Sequence, residues 1–289
     1  MKISGFTIIR NAIINDYPIV EAIKSVLPLV DEMVVLVGDS EDATEDLIRS
    51  IGDPKIRIHH SIWDLSLRTG GRVLAVETNK SFQLISPDST WAFYIQADEA
   101  VHEKYYDAIK KACIQYKDDL RVDGLLFKYL HFYGTYDYVG DSRKWYLNEV
   151  RIIRNKSSIS SYRDAQGFRI GNEKIAVKRI DASIYHYGWV KNPQLMKDKQ
   201  KNVGQFWFDD GSLQQYVKEV EFFDYSGFDS LCKFSGTHPK VMAERIALKN
   251  WEVQVDLSKK RLSAKDRLLY KFEKLTGIRP FEFRNYKII

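Results

Sequence analysis

Apolar and polar positions switch between two periods along the first hundred residues. Residues 3–9 (Ile-Ser-Gly-Phe-Thr-Ile-Ile) form an apolar run closed by Arg10-Asn11 and predict a first strand. Residues 18–29 carry Ile19, Ile23, Val26 and Leu27 at helical spacing, with Pro18 suited to a first turn. The run Met33-Val34-Val35-Leu36-Val37 has no polar alternation, as a strand covered on both faces requires. A short helix over 44–51, a strand at 56–58, a flexible Gly70-Gly71 connection and a helix over about 72–84 follow. The order is β-α-β-α-β-α-β, which predicts an α/β fold with a mostly parallel central sheet flanked by helices, Rossmann-like in its layering. Crossovers of this kind are nearly always right-handed. An amphipathic helix around 103–117 comes next, then strand-like aromatic segments at 124–129, 150–153 and 184–187. From about 191 onward the pattern is helical and polar.

The fourth strand is the most informative. Trp91-Ala92-Phe93-Tyr94-Ile95-Gln96-Ala97 is apolar and aromatic, and it stops at Asp98-Glu99. Open α/β sheets bind ligands at the C-terminal ends of such strands. A hard divalent cation carrying a diphosphate takes oxygen ligands of this type. The same two acids also suit the first turn of a helix, and the residues alone leave both roles open.

Three further constellations stand out. The loop Gly38-Asp39-Ser40-Glu41-Asp42-Ala43-Thr44 joins a buried strand to a helix. Its carboxylates suit a ribose or base, its amides suit phosphate, and its residue types equally suit a helix cap. His186 closes a strand-like run before Gly188, which fits either a packed core histidine or a metal ligand approached closely by backbone. His59-His60 read as structural, because adjacent strand residues face opposite ways. Between 127 and 169 lies an aromatic and basic band that includes Tyr133, Trp145, Arg163, Asp164 and Arg169. Aromatic faces stack on sugars and guanidinium groups bind phosphate, although a core with surface arginines has the same composition. Asp164, between Arg163 and Arg169, stands where a general base is expected, with Glu149 and Glu173 as rivals.

Composition narrows this picture. The chain has 289 residues, 44% hydrophobic and 29% charged, ordinary for a globular protein. Cys113 and Cys232 form no CxxC, so a reduced, cytoplasmic setting is expected. No signal-peptide layout is expected at Met1-Lys2-Ile3-Ser4-Gly5. Residues 258–289 hold ten basic and three acidic side chains, a net of +7. The rest of the chain has 34 basic against 36 acidic, a net of −2. The slightly acidic body argues against a nucleic acid partner. Residues 264–275 form a basic amphipathic helix by pattern, open to a peripheral contact with an anionic membrane or to packing on its own domain. No GxGxxG follows the first strand and no GxxxxGK[ST] occurs, which disfavours dinucleotide and P-loop binding.

Together these features resemble the family 2 glycosyltransferases, nucleotide-diphospho-sugar transferases with a fold of the GT-A type. The resemblance is carried by Phe6-Thr7-Ile8-Ile9-Arg10-Asn11, the loop from Gly38 to Thr44, Asn79 and Gln96-Ala97-Asp98-Glu99. His186 fits the late histidine of some members, and the chain looks like a bacterial subgroup with Gln-Ala-Asp-Glu and His-Tyr-Gly-Trp motifs. The resemblance spans about residues 3–190, and the first 100 match best. Two departures are clear. Val37-Gly38 stand where the family carries aspartates, moving Asp39 one step later. Gln96 replaces the first acid of the usual Asp-x-Asp.

The resemblance implies a transferase domain over 1–190, with a nucleotide-binding half at 1–100 and an acceptor half at 101–190. A helical, basic C-terminal extension would cover 191–289. It implies Arg10, Asn11, Asp39, Asn79 and Gln96 on the nucleotide and Asp98 with His186 on Mn²⁺ or Mg²⁺. Asp164 would be the catalytic base, and Tyr133, Trp145 and Trp189 would stack on acceptor or sugar. The expected reaction is metal-dependent, inverting transfer from a UDP- or GDP-sugar to a glycan or lipid-linked acceptor in cell-surface glycan synthesis. A cytoplasmic location, with peripheral contact at the inner membrane face through the basic tail, would suit it. A binding module with the same sheet and a nucleotidyltransferase are the alternatives. The latter is disfavoured because Arg10-Asn11-Ala12-Ile13 is not a glycine-rich basic loop.

Overall fold

The computed structural model describes residues 1–208, 211–212, 221–258 and 260–289. Positions 209–210 and 213–220 of the expected helical stretch, and Lys259 of the basic tail, lie outside the described residues.

The apolar runs become the inner strands of one sheet. Strands β1 (Ile3–Ile9), β2 (Glu32–Val37) and β4 (Trp91–Tyr94) are buried along their whole lengths. β1 lies between β2 and β4, and β3 (Ile56–His60) extends the edge; these ladders are all parallel, as the pattern predicts. Burying a side chain such as Ile19 or Val35, each fully enclosed, stabilises by about 1.5–3 kcal/mol. Helices α1 (Ile19–Val26), α2 (Thr44–Arg49) and α3 (Arg72–Gln83) connect these strands. The α/β class expected from the sequence is the class adopted.

Past β4 the sheet becomes mixed. β5 (Glu99–Val101), helix α4 (Tyr106–Tyr116), β6 (Gly124–Gly134), β7 (Tyr138–Gly140) and β8 (Asn148–Arg154) follow in order. β8 is antiparallel to both β4 and β6. Strands β9 (Ile159–Tyr162), β10 (Gly167–Ile170) and β11 (Glu173–Lys174) make a separate small antiparallel sheet. The long β12 (Ala176–Val190) runs parallel to β6 and antiparallel to β5. Its register against β6 shifts between His186 and Trp189, an irregularity of the kind that re-aims a side chain.

The C-terminal stretch is not wholly helical. Helices α5 (Pro193–Gly204), α6 (Ala243–Ala247) and α7 (Ala264–Thr276) occur, but β13 (Leu231–Lys233) pairs with β7 and β14 (Lys287–Ile288) pairs with β12. Both strands are too short to leave a period in the sequence. Among the described residues, no helix is long and apolar enough to cross a membrane.

Candidate active site

The chain turns sharply where β4 ends. The Glu99 amide donates to the Gln96 carbonyl (3.1 Å), so Ala97-Asp98 form a turn rather than a helix start. Adjacent positions then face opposite environments. Glu99 points into the core and is wholly buried. Arg151 Nε donates to both its oxygens at 2.9 and 3.0 Å, and Arg151 Nη2 donates at 2.6 Å. The Tyr129 hydroxyl and the Gln96 amide also donate to Glu99. Its role is structural: it fixes the turn.

Asp98 faces a cavity of about 500 Å³ at the sheet's mouth. Its Oδ2 lies 3.8 Å from His186 Nε2 and 3.3 Å from Lys199 Nζ. The lysine also donates to the Gly188 carbonyl at 3.0 Å and sits over the Tyr17 ring. Burial opposes ionisation of Asp98, but Lys199, His186 and Lys191 outweigh it and hold the carboxyl below its ordinary range. Burial likewise lowers His186, against the pull of Asp98 and Glu99, so the imidazole is neutral at pH 7. Lys191, buried and donating to the Asp16 carbonyl, is pushed down to about 7 by burial and then by Lys199.

Gly188 explains how these groups converge. A Cβ there would lie 2.6 Å from His186 Nε2 and 2.7 Å from Asp98 Oδ2. Only glycine leaves both atoms room at the bulge of β12. His186 Nδ1 is buried with no hydrogen-bond partner. A carboxylate oxygen and a neutral imidazole nitrogen converging beside an open cavity fit a divalent cation. No cluster of three such side chains exists among the described residues. The remaining ligands would therefore come from outside these side chains, water among them, as is usual for Mg²⁺.

The expected nucleotide residues divide. Arg10 and Gln96 line this cavity, as do Asp98, Asp164, His186 and Trp189. Asn11, Asp39 and Asn79 do not. Asn11, with φ of 54°, receives the Glu41 amide on its side chain and gives its own amide to Ser40. Asp39 accepts from the Trp63 amide at 3.2 Å and pairs with Arg10 at 3.3 Å. Asp42 accepts from the amides of Ile13, Ile14 and Thr44. The acidic loop thus ties down residues 10–14 and caps α2. Asn79 accepts from the Ser161 amide and lines a second cavity.

Asp164 lies on a turn flanked by positive φ at Arg163 (56°) and Ala165 (62°), and it lines both cavities. Its Oδ1 accepts from Gln166 Nε2 at 3.0 Å. Glu149 is buried beside Arg151 instead, at 3.5 Å, and burial raises it to about 8 despite that arginine. Glu173 is exposed on β11. Of the three aromatics expected to stack, Trp189 reaches the cavity. Tyr133 and Trp145 pack on each other (6.0 Å between ring centres) and against Tyr225 and Gly140, in the cluster behind Trp189, and neither lines the cavity. His60 pairs with Glu45 at 2.8 Å on the surface.

Sequence reasoning missed Lys199, Tyr17 and Trp207. Lys199 lies in a helix announced only by Asn192-Pro193, its cap and first residue. No local pattern marks that lysine as the one beside Asp98. Trp207 follows the same helix, and its carbonyl accepts from the Gly70 amide at 3.2 Å.

No protein-family model matches the chain, and no curated protein matches it in sequence. Solved structures with a similar backbone course include S. aureus TarS 1-349, at 14% identity and TM-score 0.37, covering 75% of this chain and 69% of that one. The chain spans 42% of a longer TarS chain. Glucosyl-3-phosphoglycerate synthase from Mycobacterium tuberculosis, with Mg²⁺ and UDP, is similar at 20% identity and TM-score 0.30, covering 46% and 43%. So is 4-diphosphocytidyl-2C-methyl-D-erythritol synthase from Anaerococcus prevotii DSM 20548, at 13% identity and TM-score 0.40, covering 74% and 96%. Likeness at this level assigns no activity to this chain.

Proposed function

We propose that this protein is a glycosyltransferase that moves a sugar from a nucleoside-diphosphate sugar to an acceptor hydroxyl with inversion. The observation that carries the proposal is the convergence of Asp98 and His186 over Gly188 in a cavity that Arg10, Gln96 and Asp164 also line. The motif resemblance described above supports the same reading.

In this reading Asp98 and His186 hold Mn²⁺ or Mg²⁺. When bound, such a cation neutralises charge developing on a departing diphosphate. Arg10 and Gln96 contact the nucleotide, and Asp39, outside the cavity, holds Arg10 in place. Asn11 and Asn79 support the site by holding loops. Lys199 adds a second positive charge beside Asp98. Asp164 accepts the proton of the attacking hydroxyl, which is worth about 10²–10⁴-fold. Trp189 covers the sugar and keeps water out. The test is release of nucleoside diphosphate from UDP- and GDP-sugars with Mn²⁺ and mixed acceptors. The proposal expects turnover that Asp164→Asn lowers by about 10²-fold or more with donor affinity kept. Donor binding with no turnover from any sugar would instead favour a binding module. That second reading is supported by Lys199, which already neutralises Asp98.

The acceptor is lipid-linked in this proposal, and α7 rests on the membrane. Leu268, Phe272 and Leu275 fall on one helical face and are 70%, 44% and 87% exposed, and Ile278, Phe281 and Phe283 are exposed beyond the helix. The surrounding segment is strongly basic. Such a face suits an anionic membrane surface. Sedimentation with anionic vesicles at low salt, lost on Leu275→Glu, is the expected result; no sedimentation would remove the membrane contact.

A further inference from the structure

A second cavity of about 800 Å³ lies on the far side of Asp164, between the start of α3 and the β9–β10 hairpin. Three arginines line it, Arg72, Arg163 and Arg169. Among the described residues no acid forms an ion pair with any of them; Asp164, the one acid on the wall, accepts from Gln166 instead. Arg169 is only 6% exposed, and its Nε is buried with no hydrogen-bond partner. Its guanidinium lies 4.6 Å from the centre of the Tyr162 ring, which orients it without neutralising it. A buried N–H of a charged group without an acceptor is costly, and native proteins seldom leave one unpaired. The Ser161 hydroxyl on the same wall is likewise buried and unpartnered. The chemistry of this wall is that of a phosphate seat: three planar cationic donors and a hydroxyl against one carboxylate, Asp164, at the junction with the first cavity.

The two cavities share Asp164, Gln166 and Trp207. The strained backbone at Arg163 and Ala165 holds Asp164 at their junction. A molecule with its phosphate among the arginines would bring a neighbouring hydroxyl to Asp164. We propose that the second cavity binds the phosphate of the acceptor, so that the substrate accepting the sugar is a phosphate ester of a hydroxyl compound. Phosphate binding stands on the arginines alone, whereas the acceptor role rests on the transferase reading of Asp164.

The experiment titrates the full chain with inorganic phosphate and with glycerol 3-phosphate by calorimetry. UDP and GDP with Mn²⁺ are titrated separately. Wild type is expected to bind both phosphates. Arg163→Gln and Arg72→Gln, both at exposed positions, are expected to weaken them at least about tenfold, the loss of one charge-assisted bond, and to leave UDP binding unchanged. Arg169→Gln is expected to weaken phosphate more, with circular dichroism checking its fold. Phosphatidylglycerol vesicles distinguish a lipid-borne ester from a soluble one. Arginine-dependent vesicle binding displaced by glycerol 3-phosphate places both in the same seat. Wild type that ignores both phosphates, or arginine variants that bind them unchanged, overturns the proposal. Phosphate binding with neither UDP nor GDP binding keeps the seat and removes the transferase reading; binding of UDP or GDP with no phosphate binding does the reverse.

Discussion

Asp98 and Glu99 are neighbours in sequence with opposite fates, and exchanging each for its amide separates them. Glu99→Gln removes the charge that three contacts from Arg151 satisfy at 2.6–3.0 Å, with both side chains at or below 1% exposure. Arg151 then keeps only the longer contact to Glu149, 3.5 Å away, in place of the three shorter ones. Breaking one side of a buried pair costs about 3–5 kcal/mol. For a chain of this size each kcal/mol lowers the melting midpoint by about 2–4 °C, so a fall of about 6–20 °C is expected. Asp98→Asn loses one contact with Lys199, which keeps its bond to the Gly188 carbonyl. Its cost is about 1–2 kcal/mol, or about 2–8 °C. Cation-dependent nucleotide binding, by contrast, disappears with Asp98→Asn. Differential scanning calorimetry and titration with UDP and Mn²⁺ measure the two effects. A Glu99→Gln protein melting within about 2 °C of wild type, or an Asp98→Asn protein that binds UDP with Mn²⁺ normally, would refute the division of labour.

The remaining predictions concern the same neighbourhood. Gly188→Ala places a methyl within 2.7 Å of both His186 Nε2 and Asp98 Oδ2; displacing either ligand should weaken Mn²⁺ binding, read by electron paramagnetic resonance, by about tenfold or more for a stability cost of about 1–3 kcal/mol. Lys199→Met removes the charge that competes for Asp98, so Mn²⁺ should bind about tenfold tighter in an electron paramagnetic resonance titration; an unchanged affinity would show that the lysine is a bystander. Burial lifts Glu149 above its unfolded range, against Arg151, so its contribution to stability is full below about pH 4.5 and is lost as pH rises through about 8. Denaturant titrations of wild type and Glu149→Gln should therefore diverge over that window, wild type losing ground as pH rises, and parallel curves would contradict it.

The first half of the fold was legible because its strands are long and covered on both faces. Met33-Val34-Val35-Leu36-Val37 has one reading, and β2 follows it. The short strands β5, β7, β11, β13 and β14 were not legible, because two or three residues carry no period. At the site, Asp98, His186 and Asp164 were visible as chemistry at the ends of elements, and the cavity brings them together. Glu99 could not be separated from Asp98 in one dimension, because only the turn at Ala97 decides which carboxylate faces Arg151. Tyr133 and Trp145 carry the composition of a sugar platform, yet tertiary packing turns them onto each other. Lys199 comes from a helix remote in sequence, placed by packing that no local pattern encodes.

The central claim is that Asp98 links a divalent cation to a nucleoside diphosphate at the mouth of the sheet. Calorimetric titration of UDP and GDP into the full chain, with Mn²⁺ and with a chelator, tests it most directly. Binding of at least one of them that needs Mn²⁺ in wild type and is absent in Asp98→Ala is the expected result. No binding of either nucleotide by wild type in Mn²⁺, or binding that Asp98→Ala leaves intact, would contradict the account.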